Sequence, residues 1–264
     1  MPVLDPRAAV VDLDGTLLSG DSLLPGAREA MTTIRGRVEA VCFVTNNPTV
    51  PPEAYAARLR EWGIEASPEE VVTAGVATVT YLREHHAEDR IFPIAGADVV
   101  AQLRDADLSL VDDPEPSECV VVGYDPAFSY NDMRAALRAF AGDGETGFVG
   151  TDPDRTIPTP DGPVPGSGAL INAVAGVVDR DPDAVLGKPS AETADIVLNR
   201  LGVPAETVVL VGDNPATDVA FGERAGMTTV RVETGLGTDG GDGAPDADYV
   251  VSDVGGVAGL FRDA

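Results

Sequence analysis

Ala8-Ala9-Val10-Val11-Asp12-Leu13-Asp14-Gly15-Thr16-Leu17-Leu18 is an apolar run interrupted by two carboxylates spaced two residues apart. In an extended segment residues i and i+2 point to the same side, so Asp12 and Asp14 can face one small volume just past the end of a buried strand. Two carboxylates brought together repel one another, and something positive should sit between them. A hard divalent cation such as Mg²⁺, which prefers carboxylate, carbonyl and water oxygens, meets that need. Gly15 and Thr16 then let the backbone turn away and leave the acids uncovered. An Asp pair that merely caps a turn is the alternative, and the rest of the chain weighs against it.

Three later apolar runs end in the same manner. Residues 38–44 read as the next buried strand and stop at Thr45-Asn46-Asn47-Pro48, a hydroxyl followed by amides, which suits an anionic oxygen in need of neutral donors. Val185-Leu186-Gly187-Lys188-Pro189-Ser190 carries the only lysine of the chain; the other 17 of the 18 basic residues are Arg. Lysine is absent from every solvated face, so Lys188 calls for a local reason, and a compact ammonium that reaches a phosphoryl oxygen while offsetting nearby acids supplies one. Val208-Val209-Leu210-Val211 leads into Gly212-Asp213-Asn214-Pro215-Ala216-Thr217-Asp218. Asp213 falls where Asp12 does, just beyond an aliphatic strand, and can add an oxygen to the same cation. Asp218 opens the following helix, where it can hold Lys188 or a metal-bound water.

These four motifs in this order resemble the signatures of the haloacid dehalogenase-like hydrolase superfamily. Val122-Gly123-Tyr124-Asp125 and Pro165-Gly166-Ser167-Gly168-Ala169 narrow the likeness to its NagD / 4-nitrophenylphosphatase branch, over nearly the full length. The resemblance implies an α/β fold, a Rossmann-like parallel-sheet core with helices on both faces, plus an inserted, smaller α/β cap of the C2 type. It implies an Mg²⁺-dependent phosphatase of small-molecule phosphate monoesters, with Asp12 as nucleophile and Asp14 as general acid and base. Thr45 and Lys188 would bind the phosphoryl group, with Asn46 beside it. The Asp12 and Asp213 side chains and the Asp14 carbonyl would hold the metal, supported by Gly15, Asn214 and Asp218. A phosphoryl-transferring mutase or a phosphate-receiving signalling module is the alternative. One departure stands out: relatives commonly read Thr-Asn-Pro-Asp in the cap loop where this chain has Thr151-Asp152-Pro153-Asp154.

Residues 1–76 and 184–264 are expected to form the core, and 77–183 the cap above its active face. Within the cap, 91–94, 108–111, 119–123 and 146–149 read as strands, and 98–103, 131–140 and 169–178 as helices. In the core, helices are expected at 24–34, 53–62 and 192–201, a strand at 228–232, an acidic Gly-rich loop at 235–248 and a closing helix at 254–261. Tyr55 and Trp62 read as core or interface residues. His85 and His86, adjacent and therefore about 100° apart on a helix, read as a solvated helix end rather than a shared metal site. Gly166-Ser167-Gly168 lacks the preceding strand and following acid of a dinucleotide loop.

The 264 residues, 44% of them apolar, suffice for one large or two linked domains. With 44 acidic against 18 basic residues the net charge is −26, which repels nucleic acid and anionic membranes. Acidic, lysine-poor composition resembles that of proteins from salt-accumulating halophiles. No signal peptide or membrane span is indicated, and a cytoplasmic protein, possible as a homodimer, is expected. Cys42 and Cys119 lie in apolar runs and read as buried free thiols.

Overall fold

The structure is a computed structural model that describes residues 4–115, 117–142, 145–159, 161–234 and 243–261. The chain divides into two compact units: Met1–Thr45, Pro52–Val72 and Lys188–Ala264 form one, and Asn46–Pro51 with Thr73–Gly187 the other.

The first unit is built on a sheet of strands in the order Tyr249–Val251, Thr228–Val232, Val208–Gly212, Ala8–Asp12, Ala40–Thr45 and Val71–Thr73, the last strand ending one residue past the unit. The pairs from Tyr249–Val251 across to Ala40–Thr45 are all parallel. Ala8–Asp12 is central and buried along its whole length, which explains an unbroken apolar run where a half-exposed strand would alternate. Ala8 and Val10 lie on one face with Cys42, Val44, Val208 and Leu210, against Ala194, Val197 and Leu201 of the helix Ala191–Leu201 and Phe221 of the helix Ala220–Ala225. Ala9, Val11, Val41, Phe43, Val209 and Val211 alternate with them and are buried as well.

The second unit has its own parallel sheet, ordered Ala184–Val185, Gly147–Gly150, Cys119–Val122, Ile91–Ile94. Val120, Val122 and Phe148 of that sheet pack with Ala136 and Ala139 of the helix Tyr130–Ala139 and with Leu170, Ile171 and Val174 of the helix Ser167–Val178. Parallel sheets flanked by helices make the chain an α/β protein of the expected class.

Residues 108–111 do not form the expected strand. Only Leu110 bridges to Ile91, through the Ile91 amide to the Ser109 carbonyl at 2.8 Å and the Val111 amide to the Ile91 carbonyl at 2.9 Å, just after Asp107 has turned the chain at φ 58. The expected closing helix is a 3₁₀ stretch, Val254–Leu260; Gly255, Gly256 and Gly259 weaken an α-helix there. Residues 235–242 of the acidic loop lie outside the described residues. Two short hairpins, Leu18–Ser19 with Ser22–Leu23 and Thr156–Ile157 with Val164–Pro165, and the edge strand Tyr249–Val251 were not legible in the periodicity.

Cys42 and Cys119 are buried free thiols, pushed up to about 12 by burial. His85 is exposed, whereas His86 is half-buried and pairs through Nδ1 with Asp89 at 2.7 Å. Among the described residues no helix is long and apolar enough to cross a membrane.

Candidate active site

Parallel pairing puts the carboxyl ends of neighbouring strands along one edge of the sheet, where open α/β sheets bind their ligands. Asp12 pairs in register with Val44, and Val11 with Val211, so Asp12, Thr45 and Asp213 emerge side by side. Asp12, Asp213 and Asp218 each offer a carboxylate oxygen within 4.8 Å of the others. Lys188 is 3% exposed, and its Nζ lies 2.5 Å from Asp12 Oδ1 and 2.6 Å from Asp218 Oδ1. The single lysine is thus spent on this cluster, and Asp218 is an ion-pair partner of Lys188.

Burial pushes Asp12 well above the usual carboxylate range; Lys188 opposes that shift, and Asp218 and Asp213 reinforce it. Burial works against the Lys188 ammonium too, but Asp12 and Asp218 outweigh it and hold the group charged. Three acids against one ammonium leave the cluster short of positive charge. Asp12 Oδ2 is buried and finds no hydrogen-bond partner among the described residues. A set of carboxylate oxygens with one such oxygen in need of a partner fits a hard divalent cation.

The backbone is shaped around these acids. Gly15 has φ +96, and a Cβ there would lie 2.5 Å from Asp213 Oδ2; its carbonyl accepts from Thr234 Oγ1 at 2.9 Å. A Cβ on Gly212 would lie 2.3 Å from that of Asp218. Asn214 supports the cluster through its backbone: its N–H donates to Asp218 Oδ2 at 2.9 Å, while its side-chain Oδ1 accepts from the Ala216 amide at 2.9 Å. It holds the turn that sets Asp218.

Asp14 is exposed. Its Oδ2 accepts from Thr45 Oγ1 at 3.3 Å and from the Tyr55 hydroxyl at 3.4 Å. Burial, then Asp14, pushes the Tyr55 phenol up against a bond to the Thr45 side chain that lowers it, so the hydroxyl stays protonated. Tyr55 is a residue that reading the sequence placed only in the core; its helical spacing signals burial and is silent about what its hydroxyl meets.

Asn46 belongs by its contacts to the second unit, where its Nδ2 donates to Asp154 Oδ1 at 3.1 Å. Asp152, 2% exposed, accepts from Thr151 Oγ1 at 3.0 Å and from the Asp154 amide at 3.3 Å. Burial, reinforced by Asp154, pushes Asp152 up to about 7.

A family model described as haloacid dehalogenase-like hydrolase matches residues 9–109, and one described as HAD-hydrolase-like matches residues 185–257. The acid sugar phosphatase of Staphylococcus epidermidis is 34% identical over 232 residues, which cover 88% of this chain and 88% of that protein. Among solved structures, a p-nitrophenyl phosphatase from Archaeoglobus fulgidus is similar with a TM-score of 0.88 at 30% identity, over 97% of this chain and 100% of that one. A 4-nitrophenylphosphatase from Thermotoga maritima is similar with a TM-score of 0.86 at 29% identity, over 98% of each chain.

Proposed function

The chain belongs to the haloacid dehalogenase-like hydrolases and is a phosphatase of that family, and from this premise we propose that it hydrolyses small-molecule phosphate monoesters through an aspartyl-phosphate on Asp12, with Asp14 as general acid and base and Mg²⁺ as the cation. What supports this reading above all is the buried meeting of Asp12, Asp213, Asp218 and the solitary Lys188 at the ends of adjacent strands.

In the first step an Asp12 oxygen bonds to phosphorus, the bond from phosphorus to the ester oxygen breaks, and the departing alcohol takes its proton from Asp14. In the second, water gives a proton to Asp14 and attacks the same phosphorus, releasing inorganic phosphate and the Asp12 carboxylate. Lys188 and the Thr45 hydroxyl are the donors to the phosphoryl oxygens, whose charge changes as the reaction proceeds. Mg²⁺, held by the Asp12 and Asp213 side chains and the Asp14 carbonyl, would supply charge neutralisation for these anionic groups. With no histidine in the four motifs, the proton work falls to a carboxylate.

The inserted unit is the C2-type cap in this reading; Asn46, bonded to Asp154, lies at its first residue. The name of the staphylococcal relative, acid sugar phosphatase, makes phosphorylated sugars the first class to try. Acidic, lysine-poor composition and buried free thiols support a cytoplasmic setting of high salt.

Asp12→Asn keeps the shape and removes the nucleophile, and turnover should fall to background while the fold persists. Near-normal hydrolysis by that variant would end the proposal. A panel of phosphate monoesters assayed with Mg²⁺ in high salt, then after chelation, should show activity lost with the metal and restored by Mg²⁺; activity indifferent to chelation would contradict the metal assignment.

A further inference from the structure

We propose that Tyr55 is a positioning residue of the phosphatase reaction, its hydroxyl holding Asp14 Oδ2 so that the carboxyl group is turned to protonate the departing alcohol. This rests on the reading of Asp14 as the general acid. Tyr55 stands on the helix Pro52–Glu61 and is 2% exposed. A ring buried for packing alone is served as well by Phe, and burying a hydroxyl is costly unless it meets a partner. The Tyr55 hydroxyl meets Asp14 Oδ2, at 3.4 Å, the same oxygen that takes the Thr45 hydroxyl at 3.3 Å.

The Tyr55 donor fixes the rotation of the carboxyl group even when the Thr45 hydroxyl turns to a phosphoryl oxygen. It also directs the transferable proton to Oδ1, because Oδ2 is already an acceptor. Asp14 sits on an exposed turn, where its side chain would otherwise sample several rotamers. Tyr55 comes from a helix 41 residues further on, in the same unit. Both bonds are long, as catalytic hydrogen bonds often are before substrate binds.

The test compares kcat/KM, which reports only the steps through loss of the leaving group, for phenyl phosphate and p-nitrophenyl phosphate. Phenol has a pKa of about 10 and departs with help from an acid; the far more acidic nitrophenol needs little. Tyr55→Phe should lower kcat/KM on phenyl phosphate about 10-fold and on the nitrophenyl ester less than about 2-fold, a fraction of what a general acid contributes. In an Asp14→Asn background the same change should cost nothing more. Equal losses on both esters, or an additive loss in the double variant, would overturn the role of Tyr55. If Asp14→Asn itself fails to discriminate between the esters, the reading of Asp14 falls instead. If Asp14→Asn discriminates and Tyr55→Phe does not, only the inference about Tyr55 is refuted. Tyr55→Phe keeps the buried ring, and a melting temperature near that of the parent separates these kinetic effects from damage to the core.

Discussion

Lys188 shows how one residue can be legible in a sequence and still owe its meaning to its neighbours. Being the sole lysine marked it; lying 2.5 Å from Asp12 and 2.6 Å from Asp218 explains it. Lys188→Ala leaves Asp12 and Asp218 facing one another in a buried site, and removing one partner of a buried ion pair costs about 3–5 kcal/mol. We expect a lower melting temperature in metal-free buffer and a rate at least about 10²-fold down, as for a lost oxyanion donor; a variant as active as the parent would contradict the assignment. Asp152 carries a prediction of the opposite sign. Its folded value of about 7 stands above the ordinary 3.8, so the folded chain binds the proton more tightly than the unfolded one. Stability is therefore lost as pH rises from about 4 to about 7, and stays lowest above that. At about 1.4 kcal/mol per unit, the cost is at most a few kcal/mol. Asp152→Asn is neutral at every pH, so it should raise the melting temperature at pH 8 and do little near pH 4. An equal change at both pH values would rule out this account.

At the scale of elements, the site is a property of strand ends. Asp12 ends one aliphatic strand and Asp213 follows another, and a glycine stands at or just past those strand ends where an acid comes too close for any Cβ. Gly15→Ala adds a Cβ at 2.5 Å from Asp213 Oδ2 and forces alanine to φ +96. Asp213 must move, so this variant should bind Mg²⁺ at least about 10-fold more weakly, by analogy with disturbed ligand support, while the sheet survives. Calorimetric titration with Mg²⁺ and a far-ultraviolet circular dichroism spectrum measure both; unchanged affinity would show that Asp213 is not a ligand. Elements also mark where periodicity misleads. Residues 108–111 alternate like a strand, yet they meet Ile91 through a single bridge, just after the left-handed turn at Asp107.

The whole molecule is governed by its charge. A net charge of −26 on 264 residues opposes compaction, and screening relieves it as the Debye length falls from about 10 Å at about 0.1 M salt to about 3 Å at about 1 M. The melting temperature should climb over that range, equally in NaCl and KCl, because screening depends on ionic strength rather than on the cation. A flat dependence would remove charge repulsion from the account of this protein's stability.

The sequence by itself determined the buried strand that ends at Asp12 and, through its resemblance to a known family, the α/β class, and it singled out Asp12, Asp14, Thr45, Lys188 and Asp213 as candidates, because burial on both faces writes a continuous apolar run and each run ends where its polar residues begin. Only the tertiary structure decided that Asp218 pairs with Lys188, that Asn46 turns its amide to Asp154, that Asn214 serves a turn, and that Tyr55 reaches Asp14. Periodicity is a local signal of which face is buried. A bond between side chains tens of residues apart depends on how the sheet sets one backbone against another, and no local pattern encodes that.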